Sequence, residues 1–205
     1  RAVKELGMLG VTLEPNPING RFFHDPDCFP LWSEAQDLNI PVCFHDTAVG
    51  YNATHHANFM RNHPNAGVFG NVFAFPFSLM QAVGSFTMGG ILEEFPRLRV
   101  AFLEGNFSWV PWLLWRLDEN WEMYGAGEDT TLSKMPSEYF LSNCVVSVEC
   151  GEDIAKHAFA AIGDDSVVLS TDFPHFDSAF PHAIDKFLAL PGISDETKRK
   201  ALWDN

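Results

Sequence analysis

An α/β fold with parallel strands is what this sequence predicts, on three observations. Five short apolar runs recur along the 205 residues, each followed by a loop and a helix-like segment. That order calls for crossover helices joining parallel strands. The runs are apolar throughout rather than alternating, as parallel strands covered on both faces require. Four of the five end in polar residues on their C-terminal side, where parallel α/β folds place their ligand sites. On these grounds two architectures stay open, a doubly wound sheet and a (β/α)8 barrel. No Gly-rich turn follows any strand, so nothing supports a dinucleotide or P-loop site.

The elements follow in chain order. The first strand is Gly10-Val11-Thr12-Leu13-Glu14, stopped by Pro15 and Pro17, with Asn16, Asn19 and Gly20 in a loop. Asp25 before Pro26 has the form of an N-cap with proline at N1. The helix after it runs to Leu38, with Phe29, Trp32, Ala35 and Leu38 on one stripe. Pro41-Val42-Cys43-Phe44-His45 is the second strand. Residues 46–76 read as a loop too long to be a mere connector. Ser78 is then the candidate cap of a helix that turns Leu79, Val83, Phe86, Ile91 and Phe95 inward and ends at Pro96.

Arg99 to Glu104 forms the third strand, followed by a helix over 109–121 with Ser108 or Asn106 as its cap. Pro111 fits in the first turn of that helix. The fourth strand is Cys144-Val145-Val146-Ser147-Val148. A helix over 152–162 buries Ile154, Ala158, Phe159 and Ile162 and stops at Gly163. Val167-Val168-Leu169-Ser170 is the fifth strand, followed by a helix over 180–190. A last helix opens at Ser194, with Asp195 and Glu196 early and Lys198, Arg199 and Lys200 late, which suits its dipole.

The formal charge is −14, divided as −3 over residues 1–100 and −11 over 101–205. So acidic a surface repels phosphate backbones, which argues against nucleic-acid binding. No run reaches the ~20 apolar residues of a membrane span, so no membrane role is expected. No targeting segment is visible, and Cys28, Cys43, Cys144 and Cys150 form no C-x-x-C pair. Free thiols in a reducing, cytoplasmic setting are the simplest reading.

Chemistry concentrates at the strand ends. They carry Glu14, then His45-Asp46, then Glu104-Gly105-Asn106, and finally Ser170-Thr171-Asp172 followed by Phe173-Pro174-His175-Phe176-Asp177. Imidazole nitrogen and carboxylate oxygen gathered on one rim suit Zn²⁺, Mn²⁺ or Fe²⁺. His55, His56, Arg21 and Arg61 lie in loops on the same side. Trp109, Trp112 and Trp115 at a spacing of three read as packing or subunit contact.

Several motifs together resemble the amidohydrolase-related metal-dependent (β/α)8 barrels, the group that includes aminocarboxymuconate semialdehyde decarboxylase and γ-resorcylate decarboxylase. They are Pro41 to His45, the stretch from Gly90 through Glu93-Glu94-Phe95-Pro96-Arg97-Leu98-Arg99, and Phe102-Leu103-Glu104-Gly105-Asn106 with Trp109-Val110-Pro111. Pro136-Ser137-Glu138-Tyr139-Phe140 and Ser170-Thr171-Asp172-Phe173-Pro174-His175 complete the set.

The resemblance implies a single domain over 1–205 in which the five strands are strands 4 to 8 of a barrel. The chain would then lack an N-terminal part and a short C-terminal tail. Five strands make an open arc, since closure of this type needs eight, leaving two unpaired edges and one uncovered inner face.

By the same resemblance, His45 and Asp172 are metal ligands, with Asp172 also relaying a proton. Glu104 stands where the family's decarboxylases carry a catalytic histidine, and is a candidate acid/base. His175, Asn106 and Arg61 are candidate substrate contacts. One divalent ion is implied, zinc first and manganese second. The family's His-x-His or Glu-x-His ligand pair has no counterpart in these residues. The implied function is a metal-dependent hydrolase or non-oxidative decarboxylase of a small carboxylic acid or related ring compound, a homodimer at full length. The competing reading is a non-catalytic degenerate barrel that binds a ligand or partner.

Overall fold

The computed structural model describes residues 1–46, 63–127 and 131–205. Five strands form one sheet: β1 (Val11–Leu13), β2 (Pro41–His45), β3 (Arg99–Leu103), β4 (Cys144–Glu149) and β5 (Val167–Ser170). Their spatial order is their chain order, and every pairing is parallel. One row of register partners, Leu13, Phe44, Phe102, Val146 and Val167, crosses the whole sheet. A doubly wound sheet would reverse its strand order at a switch point; this one advances in a single direction, as barrel strands do. The fold is therefore α/β, a partial (β/α)8 barrel.

Helices cover one face of the arc. They are α1 (Ala2–Leu6), α2 (Phe29–Asp37), α3 (Ala66–Phe86), α4 (Ile91–Glu94), α5 (Val110–Tyr124), α6 (Pro136–Asn143), α7 (Ala155–Ile162), α8 (Ala183–Leu188) and α9 (Asp195–Arg199). The core is aromatic and lies between sheet and helices. Phe44 stacks on Phe102 at 5.8 Å, Phe102 on Phe140 at 6.1 Å, and Phe86 meets Trp32 edge-on at 5.0 Å. All five are buried, and each stabilises the fold by about 1.5–3 kcal/mol. Along β2, Val42 and Phe44 are buried while Cys43 and His45 are only half-buried. That alternation marks the second face of the sheet as the open one. The strands read as two-sided in sequence because the inner positions, Cys43, Ala101 and Val145, are apolar as well.

Local chemistry sets several element ends. Asp25 accepts the Asp27 N–H at 3.0 Å and starts the turn Pro26–Cys28 that leads into α2. Ser194 caps α9 by accepting the Thr197 N–H at 3.0 Å. Gly163, at φ 82°, ends α7.

Four expectations are corrected. Helix α3 begins at Ala66, well inside the stretch read as loop, and passes through a π-helical turn, Gly70–Ala74. Ser78 is accordingly a buried mid-helix residue, not a cap. The inward positions are split between α3 and the separate helix α4, because the chain turns at 87–90, where Gly90 has φ 82°. Helix α7 starts at Ala155, which leaves Ile154 exposed. Helices α1 and α6 were not anticipated, and α8 spans only Ala183–Leu188 of the stretch 180–190.

Helix α3 also revises the reading of apolar runs. Its 21 residues carry no charged side chain, and by length and composition it could cross a membrane. Asn71, Pro76, Gln81 and the serines hide that run from inspection. Its Leu79, Ala82, Val83 and Phe86 are buried in the core beside β2.

Candidate active site

The open rim is built where the strands end. Beyond β1, Asn16 donates to Asp46 Oδ1 at 3.0 Å, and the Ser78 hydroxyl of α3 donates to Asp46 Oδ2. Asp46 is buried, so this group pins the end of β2 where His45 emerges. The His45 Nε2 N–H donates to the Glu104 carboxylate at 2.5 Å. Glu104 follows β3 directly, and Asp172 follows β5 by two residues. His175 turns back toward Asp172, its N–H donating to the Asp172 carbonyl at 2.9 Å.

Three of these positions have unusual backbone. Glu104, Asn106 and Asp172 lie at φ 59°, 62° and 57°. Asn and Asp tolerate this left-handed region, whereas a glutamate there costs roughly 1–2 kcal/mol. Such strain persists only where surrounding contacts over-determine it. For Glu104 the contact is on β4: the Ser147 Oγ accepts the Glu104 N–H at 2.8 Å.

The result is one cavity of about 600 Å³ at the C-terminal ends of β2 to β5. His45, Asp46, Glu104, Asn106, Glu149, Cys150, Asp172, His175 and Asp177 all line it. Within it the ligand atoms of Glu104, Asp172 and His175 lie within 4.8 Å of one another. His45 touches this group through Glu104. Burial, then the Glu104 charge, raises the Asp172 carboxyl above the ordinary carboxylate range. Burial raises Glu149 further, to about 7, with Glu104, Glu152, Asp172 and Asp177 adding to it. Crowded oxygens that resist ionising together, facing an imidazole, are what a divalent cation would relieve.

Glu149 escaped the sequence reading although it ends β4, the very place where function was sought. The apolar run of β4 ends at Val148 in the sequence, and the carboxylate stands one residue beyond it. Arg61, with His55 and His56, lies outside the described residues. Arg21 pairs with Asp25 and Asp27 beside α2. Trp109 donates its ring N–H to the Gly105 carbonyl at 2.6 Å and so braces the Glu104 loop, while Trp112 and Trp115 are exposed.

Acidic and imidazole side chains on the C-terminal rim of successive parallel strands define a barrel-type α/β protein with a polar, metal-suited mouth. The chain belongs to the amidohydrolase family, whose sequence model matches residues 1–205. It is 26% identical over 175 residues to 2-amino-3-carboxymuconate-6-semialdehyde decarboxylase of Dictyostelium discoideum, covering 85% of this chain and 45% of that one. Its fold matches 5-carboxyvanillate decarboxylase of Sphingomonas paucimobilis with a TM-score of 0.80 at 19% identity, over 100% of this chain and 58% of the other. A dihydroxybenzoic acid decarboxylase of Polaromonas sp. JS666, solved with bound manganese and 2-nitroresorcinol, matches with a TM-score of 0.67 at 22% identity, over 100% and 61%. The chain thus spans about half the length of the curated relative it matches.

Proposed function

We propose that the protein is a divalent-metal-dependent decarboxylase acting without an oxidant on a small carboxylated ring compound or related unsaturated acid. The observation that carries this is the convergence of Glu104, Asp172 and His175 ligand atoms within 4.8 Å inside the rim cavity. The names of the relatives support decarboxylation over hydrolysis. Two carboxylates and an imidazole fit Mn²⁺ or Zn²⁺. His45, bonded to Glu104, is the further proposed ligand beside them.

When bound, the ion supplies positive charge that binds and polarises the substrate's oxygen atoms. The protein's own groups do the rest. Asn106, on the cavity lining, holds the substrate, and Arg61 is a second proposed substrate contact. Scission breaks the bond between the carboxylate and its carbon and releases CO₂, and the electron pair left on that carbon takes a proton. Glu149, with a carboxyl at about 7, keeps a proton available near neutral pH, as an acid must. Asp172 relays protons between solvent and cavity.

The test is CO₂ release from a panel of hydroxybenzoates and unsaturated dicarboxylates with Mn²⁺ or Zn²⁺ added. Metal-dependent release from at least one acid is expected, abolished by Asp172→Asn. Turnover confined to esters, amides or lactones would instead make the protein a hydrolase.

A further inference from the structure

We propose that Glu152 is a positioning residue that fixes Glu104 and Glu149 in the cavity from beneath. This rests on the metal-centre reading of that cavity. Glu152 precedes α7 and is only 6% exposed. Its carboxylate accepts the Phe107 N–H at 3.0 and 3.1 Å, the Ser108 N–H at 2.8 Å and the Ser108 hydroxyl at 2.5 Å. It also accepts the Glu149 N–H at 3.2 Å. One buried carboxylate therefore gathers donors from two rim segments, the loop after β3 and the end of β4.

Those donors are the means of control. A buried anion without a cation beside it must be satisfied by hydrogen-bond donors, and bonds to an ionised acceptor are the strong ones. The loop they hold is the one that carries Glu104 and Asn106 in left-handed backbone. It is closely packed as well, since a Cβ on Gly105 would strike the Leu79 side chain. Ser147 holds the loop at Glu104, and Glu152 holds it at Phe107 and Ser108. With Glu152 gone, three N–H groups, those of Phe107, Ser108 and Glu149, lose their partner and the strained segment is free to relax. Glu104 then leaves both His45 and Asp172. Losing a group that orients a ligand typically weakens metal binding 10–100-fold.

The experiment compares Glu152→Ala, Glu152→Gln and a control, Asn143→Ala. Asn143 bonds the Pro96 and Leu98 carbonyls outside the cavity. Three readouts are taken on the same chain: Mn²⁺ affinity by water-proton relaxation, the metal-free ¹⁵N resonance of the His45 ring, which reports its bond to Glu104, and the melting temperature. Glu152→Ala is expected to weaken Mn²⁺ binding 10–100-fold and move the His45 resonance toward its position in Glu104→Gln. Glu152→Gln keeps the shape but turns a donor toward the N–H groups of Phe107 and Glu149. It should give a smaller shift of the same sign, and it carries the test if Glu152→Ala does not fold. Asn143→Ala should lower the melting temperature alone. A Glu152 variant that behaves like Asn143→Ala, with affinity and His45 unchanged, overturns the proposal. If the unaltered chain binds no Mn²⁺ while His45 still moves, the metal reading falls and the positioning role stands.

Discussion

Removing the charge of Glu149 should change how stability depends on pH, by an amount the structure sets. Its carboxyl is raised from 4.5 to about 7, chiefly by burial and then by Glu104, Glu152, Asp172 and Asp177. In the unfolded chain it titrates near its ordinary value. The native state therefore keeps a proton that the unfolded state releases. The resulting stability is fully present below about pH 4.5 and is lost as pH rises through about 7. At ~1.4 kcal/mol per tenfold change in proton activity the upper bound is about 3 kcal/mol, and solvent screening of a half-buried group leaves about 1–2 kcal/mol. Urea denaturation at pH 5 and pH 8, with chelator present, measures it in the native chain and in Glu149→Gln. The variant should gain about 1–2 kcal/mol on the native chain between those pH values. Added Mn²⁺ should shrink that gain by neutralising Glu104 and Asp172. Parallel pH curves would show that Glu149 ionises normally and would remove it as the proton source.

Two further outcomes follow from the packing and the rim. Phe102→Ala empties the site between Phe44, Phe86 and Phe140 and should cost about 3–5 kcal/mol in urea denaturation, with a loss under 2 kcal/mol meaning that the aromatic stack collapses to fill the gap. Glu104 caps no helix, since α5 has no side-chain cap, so Glu104→Gln should lower Mn²⁺ affinity at least tenfold in a titration while thermal melting barely moves; a large stability loss with affinity intact would return Glu104 to a structural role.

The sheet was legible because its signal is local. Each strand is a short apolar run closed by polar residues, and each reappears within a residue or two of its expected bounds. Side chains at strand ends were legible for the same reason, and His45, Glu104, Asn106, Asp172 and His175 share one cavity. Helix α3 was not legible at its start. Gly67, Gly70, Asn71 and Pro76 speak against a helix there, and packing of its later half against the sheet overrides them. Ile154 illustrates a different limit: a three-residue error in a helix start moves a side chain from the core to solvent. Glu152 has no linear signal. It reads as an acidic helix start, and only the folded chain reveals that its donors come from a loop more than forty residues upstream.

The account turns on one divalent ion held at this rim. Anomalous scattering from crystals soaked in Mn²⁺ addresses it directly, with Asp172→Asn soaked in parallel. A single strong peak is expected between the Glu104 and Asp172 carboxylates and the His175 ring, lost in Asp172→Asn. Mn²⁺ found elsewhere on the acidic surface, with that position empty in the unaltered chain, would contradict the metal centre and with it the proposed chemistry.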